Sequence, residues 1–367
     1  MRRGLFFRLL VGILALGTVA VTDAGDDAVV AELAFARQAA GQRVIYSYPG
    51  LVPPAGLLAR IRAGEAAGVI FFGENVSSST QIAGVVAQLR AAAAQSPVRE
   101  PLLLMTDQEG GLIRRLPGAP ALSHKDVGLA ADPSAAATAA GRGAGENLTG
   151  VGMNVNLAPV LDVFHAPGDL MDAYERSFSS DPTVVAALGA DYVRAQQAQG
   201  VAATVKHFPG LGPAEAADNT DLRPVSPPVP LADLRAVHEA PYQASIAAGA
   251  KLVMASWAVY PALDRAHPAG LSTVVIEQEL RSRNGFTGVT ITDALEAGAL
   301  RDYGSTGERA VLAAGAGMDL ILASARDVNQ GDQAADALAT ALADGTLDPI
   351  HFGDALSRIN ALRAGLP

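Results

Sequence analysis

A single-domain (β/α)8 barrel of the α/β class is the fold this sequence predicts, on three observations. Short, almost unbroken apolar runs rich in Val, Ile and Leu recur eight times. Helical patterns fill most of the intervals between them, and several runs end in charged or polar residues. Strands buried on both faces of a parallel sheet need such runs, not an apolar–polar alternation. A barrel also brings the C-terminal ends of its strands to one mouth, where those polar residues would meet. A doubly wound open sheet is the alternative architecture. The chain has 367 residues, 50% of them hydrophobic, which is ample for the core of one large domain.

The first element stands apart. Arg2, Arg3 and Arg8 precede an apolar run from Leu9 to Val21, with small residues at Ala20 and Ala24. That is the order of a secretory signal. The run falls short of the ~20 residues a membrane span usually needs, which makes an N-terminal anchor the second reading. Residues 1–25 are therefore assigned to a signal peptide or anchor and residues 26–367 to the barrel. The protein is read as exported, secreted or associated with the cell envelope, and as touching a membrane only if that first segment is left uncleaved.

The eight runs are Val44 to Tyr46, Gly68 to Phe72, Leu102 to Thr106, Asn154 to Pro159, Val201 to Val205, Leu252 to Ala255, Gly288 to Thr292 and Asp319 to Leu322. Ala-rich stretches at Ala92 to Ala94 and Ala135 to Ala140 have the high intrinsic propensity of helix surfaces. Asp107, Gln108 and Glu109 follow the third run, Asp162 the fourth, Lys206 and His207 the fifth, Ser256 and Trp257 the sixth, and Asp293 the seventh. Any one of these could simply cap a helix. Five together point to a shared site.

Composition and missing motifs narrow its chemistry. A net charge of -10 argues against a nucleic-acid surface, which needs clustered Lys and Arg. With no Cys there is no disulfide, no thiolate metal site and no cysteine nucleophile. GxGxxG after the first strand, Walker, HExxH and GxSxG signatures are absent. His207, His238 and His267 are not spaced as metal ligands, so no cofactor and no metal is expected. Carboxylates beside a Lys-His pair suit a neutral polyol such as a sugar, whose hydroxyls need donors and acceptors alike.

Seven segments occur in order: TDQEGGLIRRL (Thr106 to Leu116), NLAPVLDV (Asn156 to Val163), ERSFSSDP (Glu175 to Pro182), KHFPGLG (Lys206 to Gly212), LVMASWAVYPAL (Leu252 to Leu263), GLS (Gly270 to Ser272) and GFTGVTITDALEAGAL (Gly285 to Leu300). Over about residues 30 to 365 the chain resembles the N-terminal barrel domain of glycoside hydrolase family 3, in particular its single-domain β-N-acetylglucosaminidase branch. The resemblance implies a retaining exo-β-N-acetylhexosaminidase acting on cell-wall or chitin-derived sugars, in which a carboxylate attacks the anomeric carbon and a covalent glycosyl-enzyme is then hydrolysed. It places the nucleophile at Asp293 and sugar binding at Asp107, Arg176, Lys206 and His207. Lys206 near Asp293 would favour its charged form. Leu112, where the family often has Arg, and Trp257, where His is common, depart from the pattern. A β-glucosidase-type specificity and a catalytically silent sugar binder remain alternatives.

The stretch KHFPGLGPAEAADNTDLRPV departs where it matters most. The branch usually carries an Asp-Ser-His loop here, with His as general acid and base, yet no His lies between His207 and His238. Aligned without a gap, Asn219 falls on that His and Ala217 on its Asp partner. With one residue inserted, Asn219-Thr220-Asp221 overlies the triplet and Asp221 stands in for the imidazole. The second alignment is preferred because it supplies a titratable group, with Asp218 in reserve; a carboxyl can protonate a glycosidic oxygen when its pKa is raised. A turn-forming role for all of these residues is the plain alternative. A carboxylate there would repel phosphate, which favours water as acceptor.

Overall fold

The computed structural model describes residues 35–367, and the assignment of residues 1–25 lies outside them. No described helix is long and apolar enough to cross a membrane. Residues 36–367 form one compact unit.

All eight expected strands form: β1 (Val44–Tyr46), β2 (Gly68–Phe71), β3 (Leu103–Thr106), β4 (Val155–Asn156), β5 (Ala202–Phe208), β6 (Leu252–Ala255), β7 (Val289–Ile291) and β8 (Ile321–Leu322). They pair in parallel in the order β8-β1-β2-β3-β4-β5-β6-β7. A further parallel bridge between Ile291 and Leu320 joins β7 to the approach of β8 and closes the ring. Helices α1 (Ala55–Ala63), α2 (Ser79–Ala93), α3 (Pro133–Gly150), α4 (Pro182–Gln197) and α5 (Ala240–Ala247) follow the first five strands. A π-helical segment, Val274–Arg283, takes that place after β6, and α6 (Thr306–Gly315), α7 (Val328–Ala343) and α8 (Pro349–Ala364) complete the outer ring.

Side-chain alternation divides the core into two layers. Ile45, Ile70, Leu103, Met105, Leu252, Met254, Val289 and Ile291 point inward and fill the barrel, whose floor is met by Ile359 and Leu362 of α8. Val44, Tyr46, Val69, Phe71, Leu104 and Val253 point outward beneath the helices. Continuous apolar runs are the sequence's record of these two dry faces. The Ala-rich stretches do lie in α2 and α3, but Ala92, Ala137 and Ala140 are buried, so only part of each is surface.

Strand β5 differs from expectation. It runs on to Phe208, so Lys206 and His207 belong to the strand and do not follow it. Its register with β6 slips between Val205 and Phe208. Those two residues both face the helix layer, and the pair between them is left to the mouth, where regular alternation would have spared only one.

Helices α3 and α4 approach closely through small residues. A Cβ on Gly141 would lie 2.4 Å from the Tyr192 carbonyl oxygen. Gly141→Ala should therefore destabilise the protein by about 1–3 kcal/mol through overpacking, although Ala is favoured over Gly in a helix by ~1 kcal/mol. Denaturant unfolding of the two proteins measures this, and an equal or higher stability of the variant would show that the helices separate at little cost.

Candidate active site

At the C-terminal ends of the strands lies a cavity of about 410 Å³. Asp107, Arg176, Lys206, His207, Asp221 and Asp293, the six residues singled out from the sequence, all line it.

Four charges form its floor. Lys206 Nζ donates to Asp107 Oδ1 at 2.7 Å and lies 2.8 Å from Glu109 Oε1. Arg176 donates to both oxygens of Glu109, from Nε at 2.9 Å and Nη2 at 2.8 Å. Lys206 and Glu109 are each 2% exposed, so neither cation nor anion could stand alone there. Burial by itself would raise the Glu109 pKa, but Arg176 and Lys206 outweigh it and hold the carboxyl well below its usual range. Lys206 is raised by Asp107 and Glu109 against the opposing effect of burial. The bidentate edge of Arg176 is thus spent on Glu109 and not on a ligand, leaving Nη1 as the side-chain nitrogen with no hydrogen-bond partner among the described residues. The turn after Glu109 needs glycine: Gly110 and Gly111 have φ of 118° and 52°, and a Cβ on Gly110 would meet the Leu122 carbonyl at 2.1 Å.

Behind this floor Asp162 orients His207. Asp162 Oδ2 lies 2.7 Å from His207 Nδ1, and its Oδ1 accepts the backbone N–H of Leu211 at 2.6 Å. Burial opposes the anion, yet His207 and these N–H groups lower the Asp162 pKa. Nδ1 being engaged, His207 turns Nε2 toward Arg176, 3.4 Å away. Asp162 itself does not line the cavity, nor do Ser256 and Trp257. The strand-end polar groups therefore divide into those that face the cavity and those that hold its walls.

Asp293 follows β7, and its Oδ1 accepts the N–H of Ala294 at 2.7 Å. Burial and the charge of Asp221 raise its pKa, while His207, the Ala294 N–H and Lys206 pull it down. Lys206 thus acts in the expected direction, but burial prevails. Asp221 lies on the long β5–α5 loop, exposed at the rim. Its N–H is held by the Asn219 side chain at 2.9 Å, and its carbonyl accepts the Gly298 N–H at 2.8 Å. A Cβ on Gly298 would sit 2.3 Å from the Leu222 carbonyl oxygen, so the β5 and β7 loops meet backbone to backbone. Asn219 and Thr220 also line the cavity, whereas Asp218 pairs with Arg223 at 2.6 Å away from it.

Sequence reasoning gave no role to Glu109 or Arg115. Arg115 lines the cavity, and its buried Nε has no hydrogen-bond partner among the described residues. Both lie in the same segment as Asp107, so their proximity to it was visible, but which of its two acids and two arginines turn inward was not. Among the described residues no cluster of three or more His, Asp or Glu could hold a metal ion.

A closed parallel barrel with carboxylates, a Lys-His pair and arginines facing a cavity at its C-terminal mouth is the build of a barrel glycoside hydrolase. Comparison with known proteins agrees. The profile of the glycosyl hydrolase family 3 N-terminal domain matches residues 56–362, and the chain belongs to that family. It is 44% identical over 329 residues to an uncharacterized secreted glycosyl hydrolase of Arthroderma benhamiae, covering 89% of this chain and 93% of the relative. It is 32% identical to beta-hexosaminidase A of Pseudoalteromonas piscicida, with 82% of this chain covered but only 53% of that longer protein. A family 3 β-N-acetylglucosaminidase structure from a Paenibacillus species superposes with a TM-score of 0.84 at 34% identity, over 90% of this chain and 62% of that one.

Removing the charge of Glu109 while keeping its shape tests the ionic floor. Glu109→Gln leaves Lys206 and Arg176 undercompensated and should cost about 3–5 kcal/mol near neutral pH. Because the Glu109 pKa is depressed on folding, its contribution is complete above the unfolded carboxyl value of ~4.3 and is lost as pH falls. The stability gap between the two proteins should therefore narrow in acid. A gap that does not change with pH would show that Glu109 is not a stabilised anion.

Proposed function

We propose that this glycoside hydrolase is a retaining exo-β-N-acetylhexosaminidase in which Asp293 is the nucleophile and Asp221 the general acid and base. One observation carries the reading. Two carboxylates from different loops line one cavity, and the charge of Asp221 is felt at Asp293. Such a pair favours holding one proton between them. His207, Lys206 and the Ala294 N–H favour a negative Asp293, while the Asp221 side chain accepts no hydrogen bond among the described residues. The proposed roles require the transferable proton on Asp221 and the charge on Asp293, against the effect of burial on Asp293.

The chemistry follows from that distribution. An Asp293 oxygen attacks the anomeric carbon as the bond to the leaving oxygen breaks, and Asp221 delivers its proton to that oxygen. In the second half, Asp221 as carboxylate takes a proton from water, whose oxygen attacks the same carbon and releases Asp293. Asp107, Arg176, Lys206, His207 and the unpaired Arg115 supply hydrogen bonds to ring hydroxyls that can strengthen as positive charge develops. The names of the relatives support an N-acetylated sugar, and a chitin or cell-wall origin fits an exported enzyme. Export itself is inferred from the Arg2, Arg3 and Arg8 segment and from the relative described as secreted.

Turnover of aryl N-acetyl-β-glucosaminides in preference to aryl β-glucosides is the expected result, and the reverse preference would make the protein a β-glucosidase. Asp293→Asn should abolish both. In Asp221→Asn, glycosides with poor leaving groups should slow by about 10²–10⁴-fold while activated aryl glycosides lose little. The alkaline fall of kcat/KM, which reports deprotonation of the acid, should vanish in that variant. An unchanged pH profile would remove Asp221 from the mechanism.

A further inference from the structure

We infer that Trp257 is a positioning residue for the nucleophile, acting through the peptide that follows Asp293. The inference rests on the assignment of Asp293 above. Trp257 is 1% exposed and does not reach the cavity. Its indole Nε1–H donates to the Ala294 carbonyl at 2.8 Å. The same peptide group donates its other end, the Leu295 N–H, to the Leu322 carbonyl of β8 at 3.2 Å. The Ala294–Leu295 peptide is thereby pinned between the ends of β6 and β8.

That fixes the residue whose own N–H touches Asp293 Oδ1. The nucleophile sits at the start of a loop with one hydrogen bond to its carboxylate, and that bond is only as well aimed as the backbone of Ala294. Trp257 is in turn held flat. A Cβ on Gly270 would come within 2.5 Å of its ring, so only glycine lets the indole lie where its N–H reaches the loop. The chain contains a single Trp, and it is placed where a rigid donor on a large apolar body is needed. Attack by a carboxylate oxygen is sensitive to small displacements of the kind this bond prevents. Binding of the sugar's hydroxyls, which is done on β3, β4 and β5, is not.

The test separates attack from binding. A 5-fluoro glycosyl fluoride of the sugar that the enzyme prefers should label Asp293 in the wild-type protein, giving a limiting inactivation rate and a dissociation constant. Trp257→Phe keeps the ring and removes the N–H. It should lower the limiting rate roughly tenfold while the dissociation constant stays within about twofold. Trp257→His restores a ring N–H and should recover part of the rate. Labelled wild type with an unchanged rate in a folded Trp257→Phe protein overturns the inference and leaves the Asp293 assignment standing. So does a Trp257→His protein that folds yet is no faster than Trp257→Phe. If Trp257→Phe does not fold, the His variant alone decides, by whether its rate stays above a tenth of wild type. Wild type that takes no label at Asp293 overturns both readings together.

Discussion

The buried set Asp107, Lys206, Glu109 and Arg176 is the constraint on which the mouth of this barrel depends. Two cations and two anions alternate in contact, and the inner pair has almost no solvent. Each ion alone would carry a desolvation cost of several kcal/mol. Arrangement is therefore compulsory. The segment after β3, the loop after β4 that carries Arg176, and the irregular end of β5 must all come to one point, or charge is left unpaired. The same set fixes what remains for a ligand: a free proton on the Lys206 ammonium, the outer N–H groups of Arg176, and the open side of Asp107. Polar, directional and nearly neutral in sum, it is a floor for hydroxyl groups and a poor one for a phosphate or an apolar ring.

Above the floor the two loops after β5 and β7 behave as one body. Gly298 lets the Asp221–Leu222 backbone lie directly on the β7 loop, and Ala299 adds a second hydrogen bond to Thr220. Whatever positions Asp293 thus also positions Asp221. Under the proposed assignment, a pair of carboxylates with complementary duties needs a separation that is held more tightly than either loop could manage alone. Here that separation is set by backbone contact, which no change of side chain can easily relax.

The sequence was most legible where the physics is periodic. Val44-Ile45-Tyr46 and Leu252-Val253-Met254 show both dry faces of a strand in three letters, and all eight strands were found on that signal. Legibility failed at three kinds of place. The end of β5 was misjudged because Pro209 and Gly210 announce a turn, while the residues just before them continue the strand through a register slip that no composition reveals. Glu109 and Arg115 went without roles because a run such as DQEGGLIRR states which charges are present and not which way a hairpin turns them. Ser256 and Trp257 were grouped with the mouth by position along the strand, and the structure puts both into its walls. In the last two cases the missing information is side-chain direction beyond a strand's end, where the period of two no longer applies.

A loop carboxyl in place of an imidazole changes the electrostatics of the whole cavity under the proposed assignment. A neutral imidazole beside Asp293 would leave the nucleophile's ionisation alone, and an imidazolium would promote it. A carboxylate opposes it, as the raised pKa of Asp293 reflects after burial. The opposition is useful only if the proton is partitioned correctly, which the proposed roles require and the burial of Asp293 works against. Asp293 has the Ala294 N–H as donor and the Lys206 ammonium to set against that burial, while Asp221 stands exposed at the rim and its side chain accepts no hydrogen bond among the described residues. Under the proposed assignment two identical functional groups take opposite duties, Asp293 as the attacking anion and Asp221 as the acid. On this view the long polar stretch after β5 has one chemical duty, to carry a single transferable proton to the rim, and its other residues serve to keep Asp221 close to the anion that needs it.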